Sequence, residues 1–289
     1  MAKSKSGGTR SYIRGKIGAD VYSIGKDGKG SRQQVVRSLA EQVSNPQTEA
    51  QMRGRMVMST IMQAVSALSP IIDHSFDGVV NGQPSISEFI RRNYQLVKAD
   101  AAAHPASGNS FGLVKYQQKG AKAGLYVIAK GEALVPSAVA ATATGLTITK
   151  TGNDDTVGEI KAILGAAAGD YLTFVAIDGN GNGQFLRAII SDELADSTQL
   201  TSGNIASLFK FEGTLTPTVT LDTLAITIAV TVPATAKSYG LIVSKKEVSG
   251  WKHNDAVMVL NGSNPEFAAD TAFATYPVGS ARFLNGGDL

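Results

Sequence analysis

The period of the apolar positions changes twice along this chain. In the first forty residues, short apolar stretches at 11–14 and 21–24 lie between Gly7, Gly8, Gly15, Gly18, Gly25, Gly28 and Gly30, a rhythm of brief strands joined by glycine turns. Residues 20–37 read as a hairpin, with Lys26-Asp27-Gly28 as its turn and Val35-Val36 on the returning strand. Such a hairpin offers too little apolar surface to stand alone, so the arm is expected to pack on something.

From Asn45 the period becomes helical. Asn45 can cap, Pro46 suits a first helical position, and Thr48 with Gln51 offers a capping box. Met52, Met56, Val57, Ile61, Val65 and Leu68 then recur at three- and four-residue steps, until Ser69-Pro70 is expected to stop the helix. Met52, Met56, Met58 and Met62 form a soft cluster whose default role is core filling, with an adaptable interface as the alternative. A second helix is predicted from Ser85, with Glu88 closing a capping box and Ile86, Phe89, Ile90, Tyr94 and Val97 on one face, ending near His104-Pro105.

Beyond residue 111 the pattern turns to short segments rich in Thr, Val and Ile, separated by turn residues. Strands are predicted at 111–116, 125–130, 146–149, 157–163, 171–177, 185–191, 208–215, 224–232, 239–244 and 256–260. In the clearest of them Leu224, Ile226, Ile228, Val230 and Val232 alternate with Ala225, Thr227, Ala229 and Thr231, a large apolar face against a small one. No βαβ rhythm is present, which argues against a nucleotide-binding parallel sheet. The expected fold is mainly β with an N-terminal α segment (α+β): an antiparallel immunoglobulin-like β-sandwich plus a basic N-terminal arm and two helices. The predicted organisation is an arm over 1–40, a two-helix segment over 41–110, and a sandwich over 111–289 whose end from Asn261 is a surface-clinging tail.

Composition sharpens this. With 289 residues, 43% of them hydrophobic, the chain can bury one sizeable core or two modest ones. The longest apolar run, 224–232, is too short to cross a bilayer as a helix, so no membrane partner is expected. The opening Met1-Ala2-Lys3-Ser4 lacks the apolar core of a secretory signal, which predicts synthesis and assembly in a cytoplasm. The net charge of +3 hides an asymmetry. Residues 1–37 carry Lys3, Lys5, Arg10, Arg14, Lys16, Lys26, Lys29, Arg32 and Arg37 against Asp20 and Asp27, hence +7, and the remainder sums to −4. A basic arm on a slightly acidic body implies an acidic partner, either nucleic acid or a neighbouring copy.

Candidate chemistry is sparse. With no cysteine, disulfides, thiolate metal sites and a cysteine nucleophile are excluded, and His74, His104 and His253 have no metal-ligand spacing. The run 178–183, Asp-Gly-Asn-Gly-Asn-Gly, matches the first half of a calcium loop, but Ile189 stands where a bidentate Glu is needed. A wide hairpin turn between two strands is the better reading. Gly25 to Ser31 lacks the spacing of a phosphate loop, and Asp154-Asp155, Asp192-Glu193 and Glu247 read as solvated loop carboxylates. Trp251 is expected to be a packing anchor rather than a ligand platform. No enzyme activity, cofactor or metal is therefore expected. In the arm, Lys and Arg interleaved with Tyr12 and Tyr22 suit phosphate contacts, but Tyr12, Ile13, Ile17, Val21, Tyr22 and Ile24 favour a clasp on a neighbouring subunit.

Gly15-Lys16-Ile17-Gly18, Val21-Tyr22, Gly25-Lys26, Val36-Arg37, Asn45-Pro46-Gln47-Thr48-Glu49-Ala50-Gln51, Leu68-Ser69-Pro70 and Phe76 together resemble the opening of a protein family common in Bacteroidota genomes, their prophages and crAss-like phages. The resemblance implies a phage virion protein of the kind that forms rings in the neck or tail of a short-tailed phage. It carries over no catalytic residues. The expectation is a homo-oligomeric structural protein around the DNA channel, localised in the virion beside other phage tail and neck proteins, with nonspecific DNA contact as a secondary role. Lys3, Lys5, Arg10, Arg14, Lys16, Tyr22, Lys26, Lys29, Arg32 and Arg37 are the candidate subunit-contact or DNA-facing residues. The alternatives are a nucleic-acid-binding structural module using the arm, a capsid decoration or head fibre protein, and a carbohydrate-binding or calcium-dependent adhesion sandwich.

Overall fold

The computed structural model describes residues 3–7, 10–17, 19–26, 32–38, 49–103, 121, 124–152 and 156–262. The chain forms two compact units, Met1–Gln47 and Thr48–Leu289.

The first unit is an antiparallel meander of β1 (Lys3–Gly7), β2 (Arg10–Ile17), β3 (Asp20–Lys26) and β4 (Arg32–Ser38). The expected hairpin is its second half: Tyr22 pairs with Val36 and Lys26 with Arg32, while residues 27–31 lie outside the described ones. Strand β2 changes partner along its length. Residues Arg10 to Arg14 pair with β1, and Gly15 to Ile17 pair with β3. The change falls at Gly15, whose φ of 115° is open only to glycine at little cost.

The second unit begins with α1 (Glu49–Ile72) and α2 (Gln83–Ala103), which pack on each other. Helix α1 buries Val57, Ile61, Ala64, Val65, Leu68, Ile71 and Ile72, the predicted stripe extended by one turn. Pro70 does not end it; the helix runs through to Ile72, because a proline this near the C-terminus costs one hydrogen bond while Ile71 and Ile72 gain burial. Met58 and Met62 are exposed rather than core-filling. The predicted Ser85–Glu88 capping box is also absent. Helix α2 starts two residues earlier, Ser85 donates to the Val80 carbonyl, and Glu88 turns to Arg91 and Arg92 instead.

The strands that follow are β5 (Val127–Ala129), β6 (Val139–Thr142), β7 (Gly145–Thr149), β8 (Tyr171–Ile177), β9 (Gly183–Ile190), β10 (Phe209–Gly213), β11 (Pro217–Leu221), β12 (Ala225–Val230), β13 (Ser238–Glu247), β14 (Gly250–His253), β15 (Ala256–Val257) and β16 (Val259–Leu260). The segment 157–163 is a helix, not a strand: α3 (Val157–Leu164). Thr156 and Glu159 close a capping box at its start, Gly165 ends it in the left-handed conformation, and Val157, Ile160 and Leu164 bury one face. Helical spacing with a cap at each end overrides the β-branched content.

One sheet has the order β10-β9-β8-β13-β14, with β16 also on β13; the other runs β11-β12-β7-β6. All pairings in both are antiparallel. Naming β6 to β14 as A, B, C, C′, C″, D, E, F and G gives sheets C″C′CFG and DEBA, the strand order of a variable-type immunoglobulin domain. The fold is thus mainly β within an α+β architecture.

Between the sheets, Leu146 and Ile148 of β7 and Ile226 and Ile228 of β12 meet Phe174, Leu186 and Ala188 from the larger sheet, all buried. Each large apolar side chain so buried contributes about 1.5–3 kcal/mol. Phe174 lies on the strand where antibody domains carry tryptophan against a disulfide, so this chain fills its centre with apolar side chains alone. Val175, Ile177 and Ile242 point the other way, into a second core with Val57, Ile61 and Leu68 of α1, Phe89 of α2, and Tyr126, Ile128 and Met258. The central sheet is therefore covered on both faces, by helices and by the second sheet.

Buried Asn93 ties α2 to this arrangement. Its amide nitrogen donates to the carbonyls of Phe89 (2.9 Å) and Val127 (3.0 Å), and its oxygen accepts from Val127 N–H at 2.7 Å. One side chain thereby satisfies both backbone groups of Val127.

Candidate functional site

A cleft of about 430 Å³ opens between the α1–α2 loop and strands β8, β9 and β14 of the large sheet. Its floor is built by strand register. Tyr171, Ser244 and His253 form a row across β8, β13 and β14, and Arg187 of β9 stands opposite Thr173. Small, buried Ser244 lets the Tyr171 and Trp251 rings meet across β13, with centroids 4.9 Å apart and planes at 52°. On the other side of Tyr171 the Arg187 guanidinium lies 4.7 Å from the ring centroid, a cation–π contact.

The roof is the loop from α1 to α2, carrying His74 and Asn81, whose Nδ1 and Nδ2 lie 2.9 Å apart. Several bonds fix this loop. Asp73 accepts from Gly82 N–H, Asp77 N–H donates to the Lys130 carbonyl at 2.9 Å, and Lys130 N–H donates to the Ser75 carbonyl at 3.0 Å. The Asp77 carboxylate accepts from the backbone N–H of His253 (2.9 Å) and of Glu132 (3.3 Å). The approach is so close that a Cβ at position 131 would strike both the Asp77 carboxylate and the His253 carbonyl, which is why glycine stands there.

The cleft's electrostatics are uneven. His253 is buried, hydrogen-bonded through Nδ1 to Ser244 Oγ at 2.8 Å, and desolvation holds its pKa below the usual histidine value despite the neighbouring Asp77 carboxylate. Arg187 is under-satisfied: its Nη1 lies 3.7 Å from Glu212 Oε2, and its buried Nε has no hydrogen-bond partner. A donor in that state carries a desolvation penalty of about 1–3 kcal/mol. Trp251 packs on Tyr171, as expected of an anchor, and is also 42% exposed and lines the cleft.

The calcium-like run 178–183 is the turn joining β8 to β9, with Ile177 paired to Gly183. Asp178 Oδ1 accepts from the backbone N–H of Asn180 (2.8 Å) and Asn182 (2.9 Å), so its carboxylate braces the turn.

The arm is the second candidate surface. Of the residues predicted there, Lys3 and Lys5 fall on β1, Arg10, Arg14 and Lys16 on β2, Tyr22 and Lys26 on β3, and Arg32 and Arg37 on β4; Lys29 lies outside the described residues. Register places Lys16, Val21 and Arg37 in one cross-strand row, with Lys16 and Arg37 exposed. The opposite face carries Ile17, Tyr22, Ile24 and Val36. Ile17 is 47% and Val36 50% exposed, and Tyr22 and Ile24 are only half-buried.

No family model, curated protein or solved structure matches the chain.

Sequence reasoning did not bring the cleft residues together. His74 and His253 come from opposite ends of the described unit, and no local motif marks either. Trp251 beside Gly250 was the one visible signal.

Proposed function

We propose that this chain is a structural subunit of a tailed-bacteriophage virion, forming an oligomeric ring around the DNA channel of the neck or tail, with its arm as the clasp between copies. The carrying observation is a part-exposed apolar strip of Ile17, Tyr22, Ile24 and Val36, which shares one face of β2, β3 and β4 with Asp20, Gln34 and Ser38. An exposed apolar strip on a small sheet gains stability when another surface covers it. A second copy of the chain is the simplest cover, and a head-to-tail contact of that kind gives a ring where its rotation closes. The phage assignment is supported by the N-terminal sequence pattern. Lys16 and Arg37, on the face opposite the apolar one, suit either the acidic body of a neighbour or the DNA passing through. The role needs no chemistry: the subunit contributes shape and a clasp.

Light scattering coupled to size exclusion, with negative-stain electron microscopy, tests this. The full chain should form discrete rings, while a chain lacking residues 1–38, or carrying Ile17→Glu with Val36→Glu, should be monomeric. Unchanged large oligomers after the deletion would rule out the arm as clasp. A salt-sensitive DNA mobility shift by the monomer would favour the nucleic-acid-binding module instead. Labelling on the outer head surface of particles would favour a decoration or fibre role.

A further inference from the structure

We infer that the cleft beneath the α1–α2 loop is a binding site for a carboxylated saccharide, such as a uronic acid at the end of an acidic glycan. Three observations converge on this ligand class. First, Trp251 packs on Tyr171 yet stays 42% exposed and lines the cleft, and its indole is a surface on which the C–H face of a sugar ring packs. Second, Arg187 lies over the Tyr171 ring, and its ion pair with Glu212 is long, at 3.7 Å, with Nε unpaired. A guanidinium so placed fits an incoming carboxylate, which it can bind in fork geometry. Third, the His74 ring and the Asn81 amide line the same cleft from the roof and suit hydroxyl groups.

Asp77 also lines the cleft; its two oxygens accept from the N–H groups of His253 and Glu132, which stabilise its negative charge without cancelling it, so the attraction of an anion to Arg187 is exerted against that charge. The cavity, about 430 Å³, falls within the roughly 300–1,000 Å³ of small-ligand sites. Its position on a braced sheet and a hydrogen-bonded loop means that the site is formed before the ligand arrives. The inference is independent of the ring proposal, since it uses no residue of the arm.

Trp251 is the only tryptophan in the chain, so its fluorescence reports on this site alone. Full-length protein is titrated with digalacturonic acid, with the neutral disaccharide lactose, and with tartrate as a carboxylate without a sugar ring. The expected result is a saturable change with digalacturonic acid, binding about tenfold weaker or worse for lactose, and none for tartrate over the same range. Arg187→Gln should bring the acidic sugar down to the level of the neutral one. No saturable response to digalacturonic acid, or an equal response to lactose, overturns the proposal. Equal binding of tartrate would leave an anion site and overturn the saccharide assignment. The three titrations of the unmodified protein decide the matter even if the variant fails to fold.

Discussion

Asp77 and His253, 176 residues apart in the chain, are joined by a 2.9 Å hydrogen bond from the His253 backbone N–H to Asp77 Oδ1. This single contact fastens the α1–α2 loop to strand β14 and so fixes the roof of the cleft relative to its floor. Asp77→Ala leaves two backbone N–H groups without their acceptor and should cost about 2–3 kcal/mol. For a unit of this size that lowers the thermal midpoint by roughly 4–10 °C. Asp77→Asn keeps one acceptor oxygen and should cost less, which calorimetry of the two variants will show.

Asn93 is the corresponding fastener on the other side of the helix layer. Asn93→Leu fills the volume but orphans both backbone groups of Val127. The expected loss is about 2–4 kcal/mol, larger than for an ordinary surface substitution. Hydrogen exchange should rise at the Val127 amide in particular, a local signature that denaturant midpoints alone would not give.

The buried His253 predicts a pH dependence with a definite sign. Its native pKa lies below the unfolded value of about 6.5, so the unfolded chain takes up a proton first as pH falls. This contribution is full above about 6.5 and is lost progressively as pH falls toward the native pKa. Thermal midpoints should decline from pH 7 to pH 5, and His253→Asn should make that decline shallower. A slope unchanged in the variant would assign the effect elsewhere.

The capping box of α3 gives a test on a smaller scale. Glu159 N–H donates to Thr156 Oγ1 at 3.3 Å, and Thr156 N–H donates to Glu159 Oε2 at 2.7 Å. Thr156→Ala should destabilise by about 1 kcal/mol and Thr156→Ser by much less, measured by urea denaturation.

What the sequence disclosed follows from where the information lies. Strand β8 occupies 171–177 as its apolar run predicts, and β12 keeps the alternation of Ile226, Ile228 and Val230 inward. These segments carry their structure in local periodicity. Strand β6 does not: Val139–Thr142 is alanine-rich and becomes a strand because Ala141 pairs with Leu146. Helix α3 was legible in its cap residues but obscured by Val157, Ile160 and Ile163, which suit a strand equally well. The cleft was illegible because its chemistry arises from register. Tyr171, Ser244 and His253 become neighbours only once β13 pairs with both β8 and β14.

The partner change within β2 has a further consequence. Because, among the described residues, β2 pairs with β1 through Arg10 to Arg14 and with β3 through Gly15 to Ile17, removal of β1 leaves the pairing of β2 with β3 in place. An identical β1 from another copy would restore the same ladder bond for bond. The outermost strand is therefore exchangeable, and two chains could trade it with no net loss of backbone pairing, the condition under which strand swapping links subunits at low cost.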